Sequence, residues 1–182
     1  MLQEEKSQEA IAVWPKTWVN FKARALTETA IATAIAVIVP ALLAHTPQNQ
    51  FIVGPIVNAV LFWVALRVGI VNAIFIAVVP SSIALLRGML PPQAILAIPY
   101  IIAGNIAMIM TFSALAGQFK KSVFLYFGVV ASALVKTAVI FLPVLYLLKL
   151  TGVIAFMLSW PQLVTAVIGG FIVIKTQKYF QK

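Results

Sequence analysis

Cysteine is absent from the 182-residue chain, and acids are scarce: four Asp and Glu stand against thirteen Lys and Arg, with a single histidine. The first absence excludes disulfides, thiolate metal sites and cysteine nucleophiles. The second leaves no ligand set for a divalent metal and almost no general-base repertoire, so an enzyme is not expected. Only 9% of the residues are charged, while 63% are hydrophobic. Globular domains carry about a quarter charged residues, so the solvent facing this chain is lipid. The net charge of +9 does not indicate nucleic acid. The basic residues gather at the ends of apolar stretches rather than on one patch, which is the pattern of membrane topology.

Six apolar stretches can be cut at turn and charge signals: Ala25–Ala44, Phe51–Leu66, Val68–Leu86, Ala94–Gly117, Val123–Leu148 and Gly152–Ile174. Several reach the ~20 residues that cross about 30 Å of hydrocarbon. The expected fold is an all-α membrane protein, a six-helix transmembrane bundle over residues 25–182 preceded by an interfacial segment over residues 1–24. Six crossings put both termini on one side. With both ends cytoplasmic, Lys6, Lys16, Lys22, Arg24, Arg67, Lys120, Lys121, Lys175, Lys178 and Lys182 lie inside, and only Arg87 and Lys149 lie outside. That bias fixes the orientation, and a multi-pass place in the cytoplasmic membrane follows. In the first segment Trp14, Trp18 and Phe21 form one apolar stripe flanked by Lys16, Lys22 and Arg24, which reads as a helix lying on the membrane surface. A secretory signal peptide is disfavoured, because the first stretch is too long for an h-region and carries Glu28 near its start.

One cation remains unassigned. Lys136 sits about 20 Å from the cytoplasmic boundary at 1.5 Å per residue, where an ammonium costs roughly 2.5–3.5 kcal/mol on insertion scales. Asn58, Asn105, Gln162, Ser81 and Ser82 fall at about 12–20 Å from the same boundary. These groups share a layer near the midplane, and in a bundle they face inward. Glu28 enters only about 5 Å above the edge, too shallow to pair with Lys136. The lysine is therefore deprotonated, bonded to amide carbonyls, or matched by an anion that arrives with a ligand. Each stretch also carries one proline: Pro40, Pro55, Pro80, Pro99, Pro143 and Pro161. On this topology all six fall in the outer half or close to the midplane, suggesting a bundle splayed or irregular toward the outside.

Further polar groups cluster on the outer side. The loop His45-Thr46-Pro47-Gln48-Asn49-Gln50 is short enough to close over a cavity mouth. Its lone histidine lacks a second one to make a metal site. Arg87 breaks the positive-inside pattern, and Trp160 beside Pro161 and Gln162 offers a ring for stacking or an interface anchor. In the first stretch, Ala30/Ala34 and Ala32/Ala36 give overlapping small-xxx-small spacings that admit another helix closely.

Taken together, the six short-looped spans and the alanine-rich first helix resemble the substrate-binding S component of an energy-coupling factor (ECF) transporter. Locally, Gly54-Pro55-Ile-Val-Asn58-Ala, Leu86-Arg87-Gly88-Met-Leu-Pro91-Pro92 and Ser159-Trp160-Pro161-Gln162-Leu-Val-Thr165 resemble small S-component-like proteins of unassigned substrate. The resemblance implies an ABC-type importer of vitamin-like molecules, with an outward cavity capped by the loop between spans one and two and lined by spans four to six. It places Lys136, Asn105 and Gln162 on the lining and Gln48, Asn49 and Gln50 on the cap. Asn58, Trp160 and Arg87 complete the candidate substrate-binding set. The resemblance also gives Ala30, Ala32, Ala34 and Ala36 to contact with a transmembrane coupling subunit, and adds two cytoplasmic ATPase subunits as partners. No cofactor is implied. The family's nickel and cobalt members use a histidine at position two, where this chain has Leu2. With one basic residue and no acid in the layer, an organic ligand bearing a carboxylate or other anion is expected.

Three other classes compete. A stand-alone channel or secondary transporter needs an ion path, usually marked by intramembrane acids, and none lies at depth. A membrane enzyme would have to rely on a Ser–Lys dyad from Ser81 or Ser132 with Lys136. A non-transporting scaffold could use the same helices.

Overall fold

A computed structural model describes residues 23–43, 50–86, 92–118 and 122–177, in which all regular structure is helical. The helices are α1 (Ala23–Leu43), α2 (Gln50–Arg67), α3 (Ile70–Leu86), α4 (Pro92–Ile95), α5 (Ile98–Gln118), α6 (Ser122–Tyr146), α7 (Gly152–Met157) and α8 (Trp160–Gln177). By length and composition α1, α2, α5, α6 and the α7–α8 pair could each cross a membrane, and α3 is a shorter apolar helix. Their outer faces carry Leu26, Ile38, Leu42, Phe75, Phe127 and Leu134, each more than half exposed. Large apolar side chains exposed on several helices suit another apolar phase. The described architecture is all-helical, with several helices long and apolar enough to cross a membrane, as in a multi-pass membrane protein.

Because the helices are apolar on nearly every face, hydrophobicity does not choose their inward sides. Small and polar residues do. On α1 the buried positions are Ala25, Thr29, Ala32 and Ala36, one stripe at helical spacing. Thr29 accepts a hydrogen bond from the Asn72 amide of α3 at 2.9 Å and donates its own proton to the Ala25 carbonyl. The alanine pattern therefore divides: Ala32 and Ala36 face into the bundle, while Ala30 and Ala34 face outward. Two residues along a helix is about 200° of rotation, so the interleaved pairs cannot share a face.

Two helix pairs dominate the packing, α5 on α6 and α2 on α8, with α8 also against α6 and α1 laid across α2 and α3. Glycine brings α2 and α8 nearly backbone to backbone. A Cβ on Gly169 would stand 2.7 Å from both the Ala59 nitrogen and the Pro55 oxygen, and one on Gly54 would stand 2.8 Å from Thr165. At the centre Phe62 of α2 meets Phe112 of α5 edge to face, with centroids 4.8 Å apart. Both rings are fully buried.

The connection after α2 is as tight as its sequence suggested. Val68 and Gly69 both donate to the Val64 carbonyl at 2.9 Å, and Gly69 adopts φ 146°, a conformation open to glycine but strained for other residues. The last apolar stretch is not one helix. It breaks at Leu158 and Ser159, where the Ser159 hydroxyl and amide both donate to the Phe156 carbonyl. The prolines also divide. Pro40, Pro55, Pro80 and Pro143 lie inside helices, whereas Pro99 and Pro161 occupy first turns, where a missing N–H breaks no bond. Uniform bending by all six is thus corrected to four interior prolines. The interfacial segment with Trp14, Trp18 and Phe21 lies outside the described residues.

Candidate functional site

Lys136 stands on the inward face of α6, between Ala133 and Ile140, and is 4% exposed. Its stem is packed in a region of close helix contact. A Cβ on Gly104 of α5 would lie 3.1 Å from the Lys136 carbonyl and 2.6 Å from the Ile140 side chain. Only a residue without a side chain lets α5 approach α6 this closely here.

The ammonium meets α2. Lys136 Nζ donates to Asn58 Oδ1 at 2.6 Å, and Asn58 Nδ2 donates to Thr165 Oγ1 of α8 at 3.4 Å. Thr165 in turn donates to the Gln162 carbonyl at 3.2 Å. The direction of this chain is fixed by chemistry. An ammonium can only donate, and a hydroxyl has one proton. With the Thr165 proton directed at Gln162, its oxygen can only accept from Asn58. The Asn58 NH₂ must therefore face Thr165 and its carbonyl must face Lys136. Three helices are tied by one polarised relay whose members are all nearly or fully buried.

The relay contains no acid. Among the described residues the one carboxylate is Glu28, and it pairs with Arg24 at 2.8 Å on the exposed side of α1. Lys136 is thus held by a neutral amide; in its charged form that bond is worth about 1.5–3 kcal/mol, against a desolvation cost of several kcal/mol for a buried ion. Asn105 adds an imbalance of the opposite kind: its Oδ1 is buried and accepts no hydrogen bond among the described residues.

The other expected site residues distribute as follows. Gln162 is buried, but its amide donates to the Met157 carbonyl at 3.2 Å, bridging the α7–α8 break. It joins the Lys136 relay through its backbone only. Trp160 is half exposed and packs against Phe51 at 6.0 Å and Phe156 at 5.5 Å, a separate aromatic cluster. Gln50 opens α2 and is partly buried, while Gln48, Asn49, His45 and Arg87 lie outside the described residues. Ser132 donates to the Val129 carbonyl at 2.9 Å and Ser82 to the Val78 carbonyl at 3.0 Å, so each proton is directed along its own helix. Thr165 is the member that sequence reasoning did not single out. Its only signal was the i, i+3 spacing from Gln162.

The arrangement offers a donor in search of charge and an acceptor in search of a proton. No protein-family model, curated protein or solved structure matches the chain.

Proposed function

We propose that this chain is the substrate-binding membrane subunit of an importer of the energy-coupling-factor type, with Lys136 receiving the anionic group of a small organic ligand. The observation that carries the reading is the buried Lys136 side chain, 4% exposed, whose described partner is a neutral amide. An ion held this way is short of counter-charge, and a cargo carboxylate supplies it. On this reading both termini are cytoplasmic, in line with the basic residues flanking the spans, and the ligand enters from the opposite side. The outward face of α1 supports the partner assignment. There Leu26, Ala30, Thr33, Ala34 and Ile38, with Phe75 of α3, line a shallow open groove of about 530 Å³. Small residues at its floor suit close approach of a coupling-subunit helix.

A non-transporting scaffold is the second reading, favoured by the same 2.6 Å bond, since it also fastens α6 to α2. Native mass spectrometry of protein purified gently in detergent from its own cells distinguishes the two. A retained small-molecule adduct, together with coupling and ATPase subunits, is expected for the transporter reading. A bare chain without adduct or partners would contradict it.

A further inference from the structure

Asn58 Oδ1 stands 2.6 Å from Lys136 Nζ and is the partner described for it. We infer that Asn58 is a neutral place-holder and a specificity-determining residue, whose carbonyl leaves Lys136 when an anionic ligand binds. The inference rests on the ligand-binding reading above and goes beyond it by assigning the exchange. Its basis is the asymmetry of the two contacts of the amide. The carbonyl side makes a short 2.6 Å bond to Nζ, while the NH₂ side makes a long 3.4 Å contact to Thr165. The long contact to Thr165 adds little to hold the amide in place, and Thr165 has its own bond to the Gln162 carbonyl. An anionic oxygen binds an ammonium more strongly than a neutral amide does. Exchange therefore favours an anion over a neutral ligand, which would gain no more than Asn58 already provides.

The choice of residue matters. Aspartate is nearly the same shape, and at this position it would neutralise Lys136 permanently. Asparagine keeps the ammonium bonded while leaving its charge uncompensated. The same reasoning covers the relay as a whole, since Thr165, 0% exposed, supplies no charge either.

The test compares wild type, Asn58→Asp, Asn58→Ser and Lys136→Met as full chains in detergent. The probe is the small-molecule fraction released by heat from the wild-type protein, added back to each and read as an adduct by native mass spectrometry. The expected pattern is an adduct on wild type and on Asn58→Ser, and a loss of about 10-fold or more on Lys136→Met and on Asn58→Asp. Asn58→Asp should also unfold at a higher temperature than wild type, because it pairs a charge that was unpaired. An adduct retained by Asn58→Asp, or a failure of that variant to fold, overturns the place-holder. So does an adduct lost from a folded Asn58→Ser, which would make Asn58 a ligand contact. Retention by Lys136→Met instead overturns the ligand reading itself, as does a wild type that carries nothing.

Discussion

Lys136 Nζ lies 2.6 Å from Asn58 Oδ1, an ammonium from α6 held by an amide from α2 with no carboxylate in the relay. The two partners are not equivalent. Removing the lysine leaves a buried acceptor unpaired, whereas removing the asparagine leaves a buried ion unpaired, and the second costs more.

That asymmetry sets an order of stabilities. Lys136→Met should fold and change stability by no more than about 1–3 kcal/mol in either direction, since it exchanges an unsatisfied carbonyl for relief from charge burial. Asn58→Ala should destabilise by about 3–5 kcal/mol. Thermal unfolding of both in one detergent gives the comparison, and equal stability of the two would contradict the relay.

The glycines of the α2–α8 seam should be sensitive to a single methyl group. In Gly169→Ala the new Cβ meets backbone atoms of α2 at 2.7 Å, which cannot yield as a side chain can. A loss of about 1–3 kcal/mol is expected. Gly128→Ala is the control, because its Cβ would meet Phe112 at an ordinary 3.6 Å. Helix propensity then makes that change neutral or stabilising by up to about 1 kcal/mol. Unfolding in a denaturing detergent separates the two variants.

Two threonines one turn apart on α1 should also differ. Thr29 accepts from Asn72 of α3, while Thr33 bonds the Thr29 carbonyl on its own helix. Thr29→Val leaves the Asn72 amide without that acceptor and should cost about 1–2 kcal/mol. Thr33→Val should stay within about 0.5 kcal/mol. The readout is the shift in unfolding temperature, larger for Thr29→Val.

The Arg24–Glu28 pair should matter little. The arginine side chain is 77% exposed, so solvent screens the interaction. Glu28→Gln should leave the unfolding temperature and its salt dependence nearly unchanged. A large drop would mean that Glu28 has a partner deeper in the bundle.

Much of the fold was legible because lipid demands long apolar runs, and six such runs appear between charge and turn signals. The break inside the last run was not, because hydropathy continues through Leu158 while the backbone stops at Ser159. The clue was Pro161, which suits a helix start better than a bend. The candidate layer was legible in part. Depth counting put Lys136 and Asn58 together, since both are polar and central on their spans. It also put Gln162 there, and Trp160 was set beside it on the outer side, but depth says nothing of azimuth. The Gln162 amide turns toward Met157, and Trp160 faces Phe51 and Phe156. Thr165 escaped notice because a helical threonine ordinarily satisfies itself on its own backbone. Its tertiary role depends on Gly54, which leaves room for it.

On the proposed reading, Lys136 holds an anion from outside the chain. The most direct measurement is the native mass of wild-type and Lys136→Met proteins prepared side by side, with the unfolding temperature taken to show that both are folded. A small-molecule adduct on wild type, absent from an equally folded Lys136→Met, is the expected result. The same adduct at the same occupancy on both proteins would contradict the account.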